Sequence, residues 1–344
     1  ILPGSRADSC AGCDMPGSMA AALVRPPQTC LVPGGTWPWP RPSAPTLRIA
    51  CFNIRVDHHG DAGTPHEWRH RRPMAAAAIS RLDCDLLLLQ EPSPVQAAEL
   101  AADVGEDFRV VVLPCDPGAW ADPTIPPSGQ RSDGNGFVWR PERLELLGEV
   151  SVFWLSDSPD GPDGGLWDGS PFRRTCAVAR FRDLRTGKTL CAFSAHFDHE
   201  GVQARAESAK LVMRRAAAAA ADAPEAMVVV GGDFNTFPDC GGPETYSVLA
   251  GEAEKGGLLD VRAAGGVENC DLGRGGASWE GWPGSNFSRE ANEARWGAVA
   301  GQDSSRFDQL FVARAVAVAR TGVAEEPEWR GASDHLPIVA ELAW

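Results

Sequence analysis

The chain has 344 residues, 43% of them hydrophobic and 23% charged, which is the composition of an ordinary globular protein. Its net charge of −14 argues against a protein that coats nucleic acid through a basic surface, because such binding depends on neutralising phosphates. The sequence also predicts no membrane span, since no apolar run approaches the roughly 18–20 residues that a transmembrane helix needs.

Residues 1–46 differ in composition from the rest of the chain. They contain nine prolines and five glycines but no lysine and no glutamate. Because proline removes backbone donors and fixes the backbone, the segment GGTWPWPRPSAP cannot be helical. We therefore predict that residues 1–46 form a disordered leader.

The cysteines bear on the compartment. Four of the ten, Cys51, Cys84, Cys176 and Cys191, lie inside apolar runs, where cysteine behaves as a small buried hydrophobe. This favours reduced thiols and an intracellular, cytoplasmic protein, with organelle targeting by the leader as the alternative.

From residue 47 onward the sequence alternates strand-like and helix-like segments. Apolar, β-branched runs predict strands in TLRIACFNIRV, CDLLLLQE, FRVVVLP, TCAVARFRD, KTLCAFSAHFD, EAMVVVGG, RFDQLFVA, AVAVARTGV and LPIVAELAW, with two more short strands in GFVWRPERLELLGEVSVFWLS. Helices are predicted in EWRHRRPMAAAAISRLD, in SPVQAAELAADVG with Ser93 as N-cap, in GVQARAESAKLVMRRAAAAAADAP and in PETYSVLA.

These elements predict the fold class. About ten strands are interrupted by only three or four helices, so strict βαβ alternation is absent. An α/β domain of two mainly antiparallel sheets packed face to face, with helices on the outer faces, fits this order better than one parallel sheet. No linker-like break follows the leader, so residues 47–344 are predicted to form one domain.

Polar side chains recur at the ends of the apolar strands. An Asn or Asp after a single strand usually makes a turn, and a lone His is usually a core residue. Six strand ends in one chain are harder to explain in that way. The residues at these ends are Asn53, Glu91, His196, Asp233 with Asn235, Asp308, and Asp334 with His335.

The residue types at these ends indicate phosphate chemistry. Carboxylate and amide oxygens suit hard divalent cations such as magnesium or manganese, which keep waters available for a phosphate substrate. Histidines can donate hydrogen bonds to developing phosphate charge or carry protons. The pattern therefore predicts a divalent-metal-dependent phosphodiester hydrolase.

The motifs FNIR, LLLLQE, SAHFDH, GGDFN, RFDQLFV and SDHLPIVAEL, in this order, resemble the endonuclease/exonuclease/phosphatase superfamily with the DNase-I-like fold. The resemblance runs from about Leu47 to Leu342. FNIRVD with a following W..R, and AHFDHEGVQAR with the long helix, resemble the branch near the carbon-catabolite-repressor-type exonucleases. The resemblance implies a four-layer sandwich with the site at one rim of the two sheets.

The resemblance also implies roles for the polar residues. Glu91 would be the main metal ligand, helped by Asn53, and Asp334 would be a further ligand. Asp233 would orient or deprotonate the attacking water. The residues that would contact phosphate or position these groups are Asn235, His196, His335 with Asp308 as its carboxylate partner, and Arg174, for which Arg173 is the competing choice.

Two positions depart from the family pattern. Where this branch often carries a glutamate paired with the second histidine, the sequence has Asp133, which is shorter by one methylene, so its pairing with His196 is predicted to run through water. Arg55 stands where some nuclease branches have an aspartate, so one possible metal ligand is missing. The number of metal ions is therefore open at this point.

The most specific hypothesis is a 3′-to-5′ RNA exonuclease acting on single-stranded nucleic acid, without an obligate protein partner. The alternative is a phosphatase or phospholipase C-type hydrolase of inositol phosphates, sphingomyelin or another small phosphoester. Small substrates need no long basic track, so the acidic charge favours this alternative. A non-catalytic module that kept the fold is a third hypothesis, although Asp233, Asn235, Asp334 and His335 are all present.

Overall fold

This computed structural model describes residues 41, 46–118, 133–162, 164–167, 170, 172–236, 243–251, 258–264, 268–269, 278–279, 281–282, 306–313 and 315–343. These residues form fourteen strands and four α-helices. In chain order the strands are β1 (Thr46–Asn53), β2 (Leu86–Gln90), β3 (Arg109–Pro114), β4 (Gly134–Trp139), β5 (Leu144–Leu146), β6 (Ser151–Trp154), β7 (Thr175–Asp183), β8 (Thr189–His196), β9 (Met227–Asp233), β10 (Leu259–Asp260), β11 (Glu268–Asn269), β12 (Asp308–Val312), β13 (Ala317–Val323) and β14 (Ile338–Ala343). The helices are α1 (Trp68–Arg81), α2 (Pro94–Val104), α3 (Val202–Asp222) and α4 (Pro243–Ala250).

The strands form two sheets. The first has the order β11-β13-β14-β1-β2-β4-β3. The second has the order β10-β12-β9-β8-β7-β5, and β6 also pairs with β7. Most neighbours are antiparallel, but β1 and β2, β8 and β9, and β11 and β13 run parallel. The predicted pair of mainly antiparallel sheets is therefore confirmed, with parallel pairs in both.

Strand alternation divides the apolar residues among three core layers. In β1, Leu47 and Ile49 face the second sheet, whereas Ala50 and Phe52 face the helices on the other side. This follows from the two-residue period of a strand, which places successive side chains on opposite faces. Both faces of β1 are buried, so its sequence reads as a nearly continuous apolar run.

Helices cover the outer face of each sheet. α1 and α2 pack on the first sheet, where Ile79 and Leu100 join the cluster that contains Leu87. α3 and α4 pack on the second sheet, where Val212 and Leu249 join the cluster that contains Val228. The result is the predicted four-layer sandwich of helices, sheet, sheet and helices.

The helix α2 follows its sequence signals closely. The Ser93 side chain accepts a hydrogen bond from the backbone of Gln96, whose side chain bonds back to the Ser93 backbone, and Pro94 is the first helical residue. This capping box satisfies orphan donors at the helix start. The Gln96 side chain also bonds the backbone of Arg55 and Asp57, so it ties α2 to the turn after β1.

The number of strands predicted for one segment was wrong. The segment 136–156 contains parts of three strands, β4, β5 and β6, instead of two. The first strand begins at Thr46, inside the predicted leader, and Arg41 forms ion pairs with Asp83 and Asp85 of the domain. The rest of the predicted disordered leader, residues 1–40 and 42–45, lies outside the described residues. Among the helices of the described residues, none combines the length and the hydrophobicity that crossing a bilayer requires.

Candidate active site

Strand pairing brings the predicted residues to one rim of the sandwich. In the first sheet, parallel β1 and β2 end side by side, with Asn53 opposite Gln90. In the second sheet, parallel β8 and β9 end with His196 opposite Asp233, and antiparallel β12 begins with Asp308 opposite Asp233. Because carboxyl ends of parallel strands meet at the same edge, four strand ends and one strand start converge at this point.

The chain turns sharply where it leaves these strands. Arg55, Glu91 and Asn235 have left-handed backbones, with φ of 56°, 70° and 48°. Asparagine tolerates this conformation, but arginine and glutamate adopt it at a cost. Two tightly packed glycines precede Asp233. A Cβ on Gly232 would lie 1.8 Å from the carbonyl oxygen of Ala195, so only glycine fits at that step.

Two carboxylates meet at the side-chain amide of Asn53. Its Nδ2 donates to Glu91 Oε1 at 2.7 Å and to Asp233 Oδ2 at 3.0 Å. The second oxygen of Glu91 accepts from the Val56 amide at 2.9 Å, and that of Asp233 accepts from the Asn235 amide at 3.0 Å. The two acids are therefore held in fixed positions and point towards each other.

His335 lies beside this pair and is oriented by Asp308. Its Nδ1 donates to Asp308 Oδ2 at 2.7 Å, and its Nε2 lies 3.6 Å from Asp233 Oδ2. The Ser278 hydroxyl also donates to Asp308 Oδ2, at 2.7 Å. Burial lowers the pKa of His335, but the charges of Asp308 and Asp233 and the bond to Asp308 outweigh burial and raise it. This predicts a protonated imidazole at neutral pH.

His196 has the opposite character. Its Nδ1 lies 2.9 Å from a guanidinium nitrogen of Arg174, which can only donate, so Nδ1 accepts and the proton sits on Nε2. Burial first, and then the charge of Arg174, lower the pKa of His196 well below its usual range. The neutral ring thus directs an N–H towards Glu91 Oε1 at 3.8 Å and Asp233 Oδ2 at 3.6 Å.

Arg174 connects three side chains. The nitrogen that contacts His196 also lies 3.2 Å from Asp133 Oδ2, and the other terminal nitrogen donates to His199 Nδ1 at 3.1 Å. Asp133 and His196 themselves are 3.9 Å apart. The prediction that water links Asp133 to His196 was therefore incomplete, because the Arg174 guanidinium lies against both.

Burial dominates the electrostatics of Asp133 and Asp233. It raises the pKa of Asp133 to about 7, with Arg174 opposing the rise. It also raises the pKa of Asp233, where His335 opposes the rise and Asp308 and Glu91 add to it. Several negative groups thus share a buried space, an arrangement that favours binding of a cation.

Asp334 belongs to a different set of contacts. Its Oδ2 accepts from Arg55 at 2.9 Å and from the Trp279 indole at 3.4 Å, and its Oδ1 lies 3.3 Å from the Ser333 hydroxyl. Burial raises the pKa of Asp334, but Arg55, His335 and Arg71 together lower it. Asp334 therefore directly precedes His335 in the chain, but its carboxylate is paired with an arginine.

The donor set fits a hard divalent cation. Two groups of side chains converge closely enough to hold an ion, Glu91 with His196 and Asp233, and Asp233 with Asp308 and His335. In both groups the imidazole carries its proton on the nitrogen nearest the acids, so the atoms that can bind a cation are carboxylate oxygens. Oxygen-only sites suit magnesium or manganese better than zinc. Asn53 offers its nitrogen to the acids, so ligation through its oxygen would require the amide to turn over.

The structure brings together every predicted site residue except Asp334, which contacts the cluster through its neighbour His335 in the chain. Of the competing arginines, Arg174 lies in the site, whereas Arg173 lies over the Trp154 ring at 5.6 Å. Sequence reasoning did not identify His199, Ser278 and the pairing of Arg55 with Asp61. His199 could have been found in the SAHFDH motif, but nothing local marks Ser278.

The chain is similar to a known protein family and to several solved structures. The model of the endonuclease/exonuclease/phosphatase family matches residues 50–335. A family protein of this type from Bacteroides vulgatus is 25% identical, with a TM-score of 0.67, covering 87% of this chain and 98% of that chain. A mannosyl-6-phosphatase from Bacteroides thetaiotaomicron is 24% identical, with a TM-score of 0.68, covering 87% and 100%. The human Nocturnin catalytic domain with bound sulfate is 15% identical, with a TM-score of 0.59, covering 87% and 93%. A sequence comparison with curated proteins gives no match.

Proposed function

Since the chain belongs to the endonuclease/exonuclease/phosphatase family, whose members hydrolyse phosphoesters, we propose that the rim of the sandwich is a divalent-cation-dependent hydrolytic site. The observation that supports this best is the convergence of Glu91 and Asp233 on one amide, with His335 within 3.6 Å of the same Asp233 oxygen. Such a site combines cation ligands, a proton acceptor and donors for phosphate oxygens.

Glu91 is the principal residue to hold magnesium or manganese, with Asn53 beside it. When bound, the cation neutralises phosphate charge at this point. Asp233 is the proposed acceptor of the proton of the attacking water, because its carboxylate is fixed by the Asn53 and Asn235 contacts. The side-chain amide of Asn235 is itself held by the Phe197 carbonyl at 3.0 Å, so it can position water or phosphate.

The hydrogen-bond donors complete the site. His335, kept protonated by Asp308, can donate through Nε2 to a phosphate oxygen or to the leaving oxygen. His196 offers the N–H on Nε2, and Arg174 keeps it in that tautomer. Phosphoryl transfer asks mainly for positioning and charge stabilisation, and these residues supply both without a covalent intermediate.

For the substrate we propose a small phosphoester ahead of single-stranded RNA. The observation that favours it is the net charge of −14, together with the buried acids at the site. Nucleic acid gains most of its affinity from basic surfaces, whereas one small phosphate can be bound by a cation, Arg174 and two histidines. The sequence-based hypothesis of a 3′-to-5′ RNA exonuclease is the competing outcome of the test.

The test is hydrolysis by the purified full chain with magnesium or manganese. The substrates are hexose 6-phosphates, inositol phosphates, a sphingomyelin vesicle, single-stranded RNA and single-stranded DNA. We expect cation-dependent phosphate release from a small ester, lost with chelator and reduced about 10²–10⁴-fold by Asp233→Ala or His335→Ala. Arg182→Gln, which removes an exposed ion pair with Glu145, is the control and should keep full activity.

Each result has a definite meaning. Degradation of RNA with small esters untouched would reject the substrate proposal and support the exonuclease hypothesis. Hydrolysis that survives Asp233→Ala would reject the assigned role of Asp233. No cation-dependent hydrolysis of any phosphoester would reject the proposed function.

A further inference from the structure

The carboxylate of Asp334 is already occupied by protein donors. Arg55 donates to its Oδ2 at 2.9 Å, the Trp279 indole lies 3.4 Å from the same oxygen, and the Ser333 hydroxyl lies 3.3 Å from Oδ1. The side chain is buried. A cation that approached Oδ2 would have to displace Arg55, and one that approached Oδ1 would share the carboxylate with that guanidinium.

Arg55 cannot easily be displaced. Its Nε and one terminal nitrogen bond both oxygens of Asp61, at 2.8 and 2.9 Å, while the other terminal nitrogen bonds Asp334. Such two-point binding fixes the guanidinium plane. If Arg55 moved away, Asp61 and Asp334 would remain buried with less positive charge beside them, which is costly.

The backbone of Arg55 is held as firmly as its side chain. Its amide donates to Asn53 Oδ1 at 2.9 Å, and its carbonyl accepts from Gln96 at 2.9 Å and from Arg71 at 3.1 Å. Its left-handed φ of 56° is maintained by these contacts. The guanidinium is therefore a permanent positive charge in this corner of the site.

The acids that remain available to a cation are too few for two ions. Glu91 and Asp233 are the pair that converges on Asn53, and two carboxylates match one divalent charge. Magnesium typically takes one or two carboxylates and fills its other positions with water and substrate oxygens. Asp308 is already bound by His335 and Ser278, and Asp133 by Arg174, so a second cation would need Asp334. There it would lie next to the like charge of Arg55.

Resting on the proposed function, we infer that Arg55 keeps Asp334 from coordinating a cation. The active site then binds one divalent cation per chain, and the Arg55 guanidinium supplies the positive charge that a second cation would bring. Asp334 is then a positioning residue, which fixes Arg55 and the loop before His335. This replaces the sequence-based prediction that Asp334 is a further metal ligand.

The test measures how many Mn²⁺ ions bind per full chain in the absence of substrate. Binding is followed by the loss of the electron paramagnetic resonance signal of free Mn²⁺. We expect one tight site in the wild type. Asp334→Asn should leave its Kd within about threefold, whereas Glu91→Gln should raise the Kd by more than the roughly 10–100-fold that loss of an outer-sphere partner causes. Arg182→Gln is the matched control for removal of an ion-paired arginine.

Two further variants test the arginine itself. Arg55→Gln should create a second, weaker manganese site, and adding Asp334→Asn to it should remove that site. Arg55→Lys keeps the charge and should still bind one ion. A thermal denaturation curve for each variant shows whether it is folded.

The outcomes separate the two proposals. Two tight sites in the wild type, or a loss of affinity of more than about 100-fold in Asp334→Asn, would overturn this inference while leaving the proposed function intact. No manganese binding in the wild type, or binding unaffected by Glu91→Gln, would overturn the proposed function itself. Because the wild-type count is decisive alone, the inference stays falsifiable even if an Arg55 variant does not fold.

Discussion

At the scale of single residues, the site depends on which nitrogen and oxygen atoms face one another. Asp308 turns Nε2 of His335 towards Asp233, and Arg174 does the same for His196. The two histidines therefore present N–H groups to the same carboxylate oxygen although their protonation states differ. One ring is kept charged by an acid, and the other is kept neutral by an arginine.

Arg174 gives a prediction at this scale. Arg174→Gln removes the donor that sets the tautomer of His196 and leaves the buried Asp133 without its arginine. We expect kcat/KM on a small phosphoester to fall about 10²–10³-fold, as for loss of one preorganised donor. Steady-state kinetics of the purified variant measure this.

The neighbouring arginine supplies the control. Arg173 stacks over the Trp154 ring at 5.6 Å, so Arg173→Gln should change kcat/KM less than about threefold. Equal losses in the two variants would show that the position of Arg174 has no special role.

The residues at this scale differ in how far the sequence reveals them. Asn53, Glu91, Asp233 and His335 could be predicted because each ends or begins an apolar strand, and strand ends share an edge. The partner of Arg55 could not, since Asp334 lies 279 residues further along the chain and the pairing depends on how two loops meet. Predicting a contact of that kind requires the sheet order first.

At the scale of elements, the hairpin of β7 and β8 shows local signals at their strongest. The turn sequence LRTG joins two apolar strands, and Gly187 adopts the left-handed φ of 72° that the turn requires. Asp183 ends β7 and accepts from the Arg185 amide and the Thr186 hydroxyl, so it stabilises the turn. By contrast, β5 and β6 pair with different parts of β7, which their short sequences could not indicate.

The hairpin gives a prediction of pH-dependent stability. The buried Asp183 accepts two hydrogen bonds from buried Arg143, at 2.7 and 2.9 Å. Burial raises the pKa of Asp183, but the bonds from Arg143, Arg185 and Thr186 lower it below its usual range. A lowered carboxylate pKa stabilises the fold above the unfolded pKa of about 3.9, and this contribution is lost as the pH falls through the folded pKa.

Asp183→Asn should therefore reduce the free energy of unfolding at pH 7 by about 3 kcal/mol, because it leaves Arg143 buried without its charge partner. The difference from wild type should begin to shrink below about pH 4, where Asp183 of the unfolded chain becomes protonated, and should be lost as the pH falls through the lower pKa of folded Asp183. Urea denaturation at both pH values measures it. Glu145→Gln makes the same change in an exposed pair with Arg182 and should cost less than about 1 kcal/mol. A difference that grows in acid would contradict the argument.

At the scale of the whole molecule, the two sheets act as one support for the site. Each contributes a parallel pair of strand ends, β1 with β2 and β8 with β9. The core that the sheets share holds the two pairs next to each other. The sequence predicts the two sheets and the outer helices from the count and order of elements. It does not predict the strand order, because pairing between distant segments leaves no local pattern.

Cation binding across this junction should stabilise the entire fold. Glu91 follows a strand of the first sheet and Asp233 ends a strand of the second, so the proposed ion binds only when both sheets are assembled. Manganese at 100 times its Kd should add about 2.7 kcal/mol to the free energy of unfolding. A thermal melt with and without manganese should show a higher Tm that chelator reverses. Glu91→Gln should lose this shift, and an equal shift in that variant would reject the assignment.

The pairing of β1 with β14 has a consequence for how the protein is made. Thr46 lies opposite Ala343, and Arg48 bonds Glu341 across 293 residues of chain. During synthesis, β1 therefore emerges from the ribosome long before its antiparallel neighbour β14 exists. Until β14 is made, the backbone groups on that edge of β1 stay unpaired. Such long-range closure slows folding and exposes unpaired edges to aggregation and to chaperones. A chain that does not yet extend through β14 lacks both the strand that follows His335 and the antiparallel neighbour of β1, so the proposed site cannot assemble before β14 has been made.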